Sequence, residues 1–324
     1  MASSNMTDRQ TSSQIISAVG DNVVGRQREI ELVVAALVAG RHMLLEGPPG
    51  TGKSTLLRAV AQSMSVEFSF VEGNAELTPA RLIGHFDPAR VLTDGYAPDV
   101  FVDGPLVTAL REGSLLYVEE INRIPEETLN VLITVMSEGE ITVPRLGKVV
   151  GANGFRLVAA MNPFDAVGTA RISSAVYDRV CRVAMTYQSS QDECAIVDRS
   201  LKANSQKNNA GVQPDAAWIT NVVEVVRRTR NHPDLRVGSS VRGAIDTALV
   251  ASSLAEVRSS KNISATIGID SALVAISGRI RIREGSVRNV EEVVVEIWND
   301  VFGTKAGDES AGKAGAPTGA TTSR

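Results

Sequence analysis

The chain has 324 residues, 43% of them hydrophobic, and a formal net charge of −4. That length accommodates two domains with cores of their own, and the acidic balance excludes a global basic field aimed at nucleic acid or anionic lipid. Neither the two cysteines (Cys181, Cys194) nor the three histidines (His42, His85, His232) have metal-site spacing, and no apolar run approaches the ~20 residues of a membrane span.

Taken in chain order, residues 1–13 are polar, lack the apolar centre of a signal peptide and read as a disordered N-terminus. A cytoplasmic location is therefore expected, with Cys181 and Cys194 as buried free thiols in a reducing compartment. Glu29–Ala39 (EIELVVAALVA) predicts a helix stopped by Gly40. Strands are expected at 43–46, 67–71, 114–118, 156–161 and 180–186, with helices between them. Such alternation implies a parallel sheet covered on both faces, an α/β nucleotide-binding domain over 14–190. Beyond it the strand signals fade and amphipathic helices are expected at 216–228, 241–257, 271–280 and 290–302. They form a small α-helical domain over 191–302, with a polar loop at Asn204–Pro214 and a polar stretch at Arg258–Ile269. Residues 303–324 contain no aromatic or large aliphatic side chain and read as a disordered tail.

The densest chemistry lies at Gly47-Pro48-Pro49-Gly50-Thr51-Gly52-Lys53-Ser54-Thr55, a complete G-x-x-x-x-G-K-[ST] phosphate loop. Its glycines allow backbone N–H groups to turn inward around phosphate oxygens. Lys53 reaches the β- and γ-phosphates and the Ser54 hydroxyl ligates Mg²⁺. The apolar run before the loop predicts a strand and 54–64 a helix, whose N-terminus would face the phosphates. ATP and Mg²⁺ are the expected ligands. A second element, Ser114-Leu115-Leu116-Tyr117-Val118-Glu119-Glu120, reads as a buried strand delivering two carboxylates to the ligand-binding edge of the sheet. In this position Glu119 would hold Mg²⁺ through water and Glu120 would polarise the attacking water.

Glu119-Glu120-Ile121-Asn122-Arg123 resembles the "DEINR" segment of the MoxR branch of AAA+ ATPases. The likeness continues through Val24-Gly25-Arg26, Gly104-Pro105-Leu106, Ala160-Met161-Asn162-Pro163, Asp178-Arg179-Val180 and Gly238-Ser239-Ser240-Val241-Arg242. Glu119 departs from it, standing where that family has aspartate. The resemblance implies an AAA+ P-loop αβα sandwich with a parallel sheet, followed by a helical lid. It also implies that Val24 and Gly25 contact the nucleotide, that Asn162 acts as sensor 1 and that Arg242 acts as sensor 2. Arg242 would sit in the first turn of a helix capped by Ser239 or Ser240. Arg179 becomes the arginine finger offered to a neighbouring subunit, with Arg171 and Arg182 as substitutes.

Two insertions are expected to form hairpins, one at 86–103 turning near Thr93-Asp94-Gly95 and one at 139–153 turning near Leu146-Gly147. On related rings such hairpins line the pore, which makes Tyr96, Phe101, Arg145 and Lys148 candidates for gripping a client. The resemblance implies a homo-oligomeric, hexameric ring that remodels or matures a protein complex with a partner bearing a von Willebrand factor A domain, often a metalloenzyme system. Two other readings stay open: a DNA-directed motor resting on Arg145 and Lys148, and a nucleotide-dependent switch in which hydrolysis is incidental.

Overall fold

Five segments of five or six residues are long enough to cross a sheet once, and all five pair in parallel. They are β1 (His42–Glu46), β2 (Phe68–Glu72), β3 (Leu115–Glu119), β4 (Arg156–Met161) and β5 (Val180–Ala184), arranged β2-β3-β4-β1-β5. The computed structural model describes residues 11–163, 172–207 and 211–303.

Alternation along the strands separates two cores. Leu44, Leu116, Val118, Leu157 and Ala159 face one layer, packed with helices α4 (Pro105–Glu112) and α5 (Glu126–Glu138). Met43, Leu45, Leu115, Tyr117, Val158 and Ala160 face the other, packed with α1 (Ser12–Gly20), α2 (Gln27–Val38) and α3 (Lys53–Ser63). Burial on both faces explains why these strands read as continuous apolar runs. The αβα sandwich expected from the sequence is the fold.

Several local expectations change. Helix α1 begins at Ser12, inside the segment read as a disordered N-terminus, because Thr11 and Gln14 form a reciprocal capping box. The first insertion is not a hairpin turning at residues 93–95. Gly84–Phe86 and Phe101–Asp103 pair antiparallel, and between them Pro88–Asp94 is a helix. Asp87 caps that helix by accepting from Ala89 N at 2.9 Å, and Pro88 fits its first position. Thr93-Asp94-Gly95 is therefore a helix end. The second insertion is a hairpin, Glu140–Val143 against Gly147–Val150, with Arg145 at φ 67° in its turn. Cys181 is exposed on edge strand β5 and Cys194 is half-buried, so neither is the buried thiol expected from composition.

Contacts divide the chain between Gln188 and Ser189. The second unit holds α6 (Ser190–Lys207), α7 (Ala216–Thr229), α8 (Val241–Val257), α9 (Ala265–Ile276) and α10 (Val290–Phe302). They close around a core of Val197, Val222, Val226, Ala244, Ile276 and Trp298, among others. Helix α6 was not foreseen and takes in Asn204–Lys207, the start of the stretch read as a loop. Helix α9 starts at Ala265 rather than Ser271, capped by Ser264, which accepts from Ile267 N at 3.3 Å. The polar stretch before it therefore shrinks to 258–264. A two-stranded ribbon, Leu235–Val237 with Arg281–Ile282, adds strand where none was expected. Among the described residues no helix is long and apolar enough to cross a membrane. Residues 1–10 and 304–324 of the two tails lie outside the described residues.

Candidate nucleotide site

The phosphate loop joins the C-terminal end of β1 to α3, the position that parallel sheets use for ligands. Gly50 (φ 74°) and Gly52 (φ 85°) take left-handed backbone that other residues adopt only under strain. Gly47 is fixed by proximity instead: a Cβ there would lie 2.2 Å from the Met185 carbonyl oxygen. Lys53 is 8% exposed, and its ammonium donates to the Gly47 carbonyl at 2.8 Å and the Pro48 carbonyl at 3.0 Å. Its charge is thus already inside the ring that would receive phosphate. Thr51 is fully buried and its hydroxyl donates to the Pro48 carbonyl at 2.9 Å.

The acids of β3 meet the loop. Ser54 Oγ donates to Glu119 Oε1 at 2.9 Å and lies 3.2 Å from the Tyr117 hydroxyl. The extra methylene of Glu119 is accommodated, since the carboxylate arrives within bonding distance of the serine. Burial, together with the Glu119 and Glu120 carboxylates, pushes the Tyr117 phenol well above its ordinary range, so it stays neutral. Tyr117 contributes to the site as well as to the core, a role its place in an apolar run concealed.

Glu120 follows at φ 53°, a left-handed conformation that costs a non-glycine residue on the order of 1 kcal/mol. Gly73 packs closely against this turn. Gly73 N donates to the Glu119 carbonyl at 2.7 Å, and a Cβ on Gly73 would lie 2.4 Å from the Glu120 carbonyl oxygen. The Glu120 carboxylate faces Arg123 Nε at 3.2 Å. Backbone strain of this kind is concentrated at functional sites because it aims a side chain where relaxed geometry would not.

The donor set suits a hard divalent cation such as Mg²⁺: oxygen atoms from Ser54 and Glu119, adjacent to the loop. Glu72 and Glu119 are also register partners on β2 and β3, which brings a second carboxylate to the same end of the sheet. Asn162 sits immediately after β4, the neighbour of the phosphate-loop strand; its carbonyl lies 3.5 Å from Asn122 Nδ2.

Two residues without an assigned role in the sequence reading brace the loop. Arg26, only 3% exposed, donates to the Thr51 carbonyl at 3.0 Å, to the Thr186 carbonyl at 2.5 Å and to Glu29 at 3.0 Å. It lies beside Val24, whose carbonyl accepts from Gln188 Nε2 at 2.9 Å, and Gly25 at φ 65°. Glu46, the last residue of β1, is 4% exposed and paired with Tyr177 and Arg182. An arginine at a helix start and a lone acid before a loop leave no periodic trace, so neither role is legible without the fold.

The expected fingers differ in their surroundings. Arg179 donates to the Ala175 carbonyl at 2.8 Å and to Ser137 Oγ at 2.5 Å, with Asp178 at 3.9 Å. Arg182 holds Glu46. Arg171 lies outside the described residues.

In the second unit Arg242 is exposed in the first turn of α8. The expected cap is absent: Ser240 occupies the N-cap without a side-chain bond, and the buried Ser239 hydroxyl turns to the Ser240 carbonyl at 3.3 Å. Side chains at the end of α7 hold the Ser239 backbone instead. Ser239 N donates to Thr229 Oγ1 at 2.8 Å, and Arg230 Nε donates to the Ser239 carbonyl at 2.8 Å.

The two insertions of the first unit meet each other. The Arg145 guanidinium lies 3.7 Å from the centre of the Tyr96 ring, which packs edge-on to Phe86, which in turn packs on Phe101. Phe101 also rests against the sheet core, so it belongs to the packing of the insertion. Tyr96 is half exposed, and Lys148 is paired with Glu140 at 2.7 Å.

Residues 42–180 match the family described as AAA domain (dynein-related subfamily). The chain is 29% identical over 241 residues to the uncharacterized Bacillus subtilis protein YeaC, covering 69% of this chain and 72% of YeaC. It is 34% identical over 177 residues to an uncharacterized Staphylococcus aureus protein, covering 54% and 63% of the two chains. Among solved structures, a candidate ATPase from Cytophaga hutchinsonii superposes with a TM-score of 0.50 at 22% identity, covering 89% of this chain and 93% of that one. The Holliday junction branch migration motor RuvB of Thermotoga maritima gives 0.52 at 18% identity, over 78% and 70%. These likenesses share the sandwich and the helical region after it. Residues 42–180, which carry the phosphate loop and its facing acids, are thus similar to an AAA domain, and the fold is the P-loop αβα sandwich followed by a helical region.

Proposed function

We propose that this chain is a MoxR-like AAA+ ATPase that hydrolyses ATP as a homo-oligomeric, hexameric ring to remodel or mature a protein complex, with a von Willebrand factor A domain protein as partner. The observation that carries the hydrolytic reading is the 2.9 Å bond between Ser54 and Glu119, with Glu120 held in strained backbone beside it. Lys53 and the loop amides bind the β- and γ-phosphates, and Glu120 orients and deprotonates the attacking water. Mg²⁺, held by Ser54 and through water by Glu119, supplies neutralisation of phosphate charge when bound. Asn162 at the end of β4 positions the water or the γ-phosphate, Arg242 answers phosphate charge from the lid, and Arg179 serves the neighbouring subunit's ATP. Val24, Gly25 and residues 47–55 complete the nucleotide contacts.

The exposed pairing of Arg145 with Tyr96 supports client contact, since a cation over an aromatic ring presents an amphipathic surface. The test is capture of bound proteins by the Glu120→Gln variant held with ATP and Mg²⁺. Recovery of a von Willebrand factor A protein or a metalloenzyme subunit supports the maturation reading. DNA-stimulated hydrolysis with steep salt dependence would replace it with the DNA-directed motor. Absence of turnover in the wild type, with ATP still bound, would leave the switch.

A further inference from the structure

Glu46 is an unusual residue for its position. It ends the buried strand β1, directly before the first glycine of the phosphate loop, and is 4% exposed. The Tyr177 hydroxyl donates to Glu46 Oε1 at 2.6 Å, and Arg182 Nε donates to Glu46 Oε2. A buried carboxylate needs a counter-charge and hydrogen bonds, and both come from the segment that surrounds Arg179. Tyr177 ends the short helix Ser174–Tyr177, and Arg182 lies on β5. Burial and the Glu46 carboxylate push the Tyr177 phenol up to about 12, so it remains a donor.

The same two regions are joined by backbone. Met185 N donates to the Glu46 carbonyl at 2.6 Å, the α-carbon of Gly47 abuts the Met185 carbonyl, and Arg26 ties the Thr51 carbonyl to that of Thr186. The start and the middle of the phosphate loop are thus fastened to the chain that leads out of β5.

From this geometry we propose that Glu46, Tyr177 and Arg182 form a positioning latch between the phosphate loop and the Arg179 segment of the same subunit. In this arrangement Arg182 works in cis and is not a group supplied to a neighbour, and the latch links nucleotide held in one site to the placement of the finger offered to the next. Releasing Arg182 would strand a buried carboxylate, whereas Arg179 is held by neutral partners, with the exposed Asp178 at the limit of contact. The proposal rests on the reading of Arg179 as the group acting in trans.

Two measurements test it. First, a fluorescent ATP analogue with Mg²⁺ is titrated into wild type, Glu46→Gln, Arg182→Ala and Arg182→Lys, each well below its own thermal midpoint. Glu46→Gln and Arg182→Ala are expected to bind about tenfold more weakly, with Arg182→Lys restoring part of the loss. Affinity equal to wild type in both would overturn the latch. Second, Arg179→Ala and Arg182→Ala are each mixed with Glu120→Gln, which lacks the base but keeps its arginines. In the mixture Arg179→Ala is expected to regain turnover with a wild-type half-saturating ATP concentration, whereas Arg182→Ala is expected to keep a half-saturating ATP concentration about tenfold higher, because the defect stays in its own site. A wild-type half-saturating ATP concentration for Arg182→Ala in the mixture would show that Arg182 acts across the interface. If the wild type binds the analogue without turnover, the ATPase reading fails while the binding titration still decides the latch.

Discussion

Glu120 shows how much a single side chain depends on its backbone. Its left-handed backbone lies against Gly73, and the aim of the carboxylate is what the hydrolytic reading uses. Glu120→Gln keeps size and hydrogen bonding but cannot take a proton. Turnover measured by phosphate release should fall ~10²–10⁴-fold while nucleotide binding persists. Under the Mg²⁺ role proposed for Glu119, Glu119→Ala should raise the Mg²⁺ concentration for half-maximal turnover by about tenfold or more. His42 makes a different prediction. Its Nδ1 accepts from Leu157 N at 2.9 Å, and burial, with Arg156 and Arg41 nearby, depresses its pKa from 6.5 to about 4. The unfolded chain therefore takes up the proton first as pH falls, so stability is full above pH 6.5 and declines toward pH 4. Urea unfolding at pH 7 and pH 5 should show wild type losing about 2 kcal/mol more than His42→Gln. Equal losses would remove His42 as the cause.

At the scale of elements, the helical unit is held by tight junctions as much as by its apolar faces. Gly238 lies where a Cβ would meet Arg230 Cα at 2.5 Å and the Thr229 carbonyl oxygen at 2.7 Å, all backbone that cannot step aside. Gly238→Ala should destabilise the unit by about 1–3 kcal/mol in denaturant unfolding. It should also disturb the start of α8, and with it Arg242. Asn289 opens α10 through a capping box with Glu292, donating and accepting at 2.9 and 2.8 Å. Its loss in Asn289→Ala should cost about 1 kcal/mol, away from α8. A larger effect at Asn289 than at Gly238 would contradict this ordering. Buried Glu193 joins α6 to the end of α7 through Arg227 at 3.2 Å and Arg230 at 2.8 Å. That use of its one buried acid explains how a helix with few apolar positions still docks.

At the scale of the molecule, a finger supplied in trans makes hydrolysis a property of the assembly. Turnover per chain should therefore rise with protein concentration across the range in which subunits associate, followed in parallel by light scattering. A flat specific activity through that range would place every catalytic group within one chain. The acids at the C-terminal ends of β1, β2 and β3 give the sheet edge a negative character that the arginines and a bound cation must offset. Activity should accordingly vanish on chelation of divalent ions and return on adding Mg²⁺.

Local order alone determined the phosphate loop, the two acids and the five strands. The loop is a contiguous pattern whose spacing is its mechanism, and the central strands β1, β3 and β4, buried on both faces, are apolar along most of their length. Helices α7, α8 and α10 were legible by the same periodicity. Helix α6 was not, because its docking rests on Glu193, Val197 and Leu201 rather than a continuous apolar stripe. The Thr93-Asp94-Gly95 signal suits a turn or a helix end equally, and only the pairing of Gly84–Phe86 with Phe101–Asp103 selects the latter. The approach of Glu119 to Ser54, the clamp of Arg26 and the burial of Glu46 were decided by tertiary structure. Each joins residues distant in sequence, 65 positions apart for Ser54 and Glu119, and partners at such separation are chosen by which strands become neighbours in the sheet.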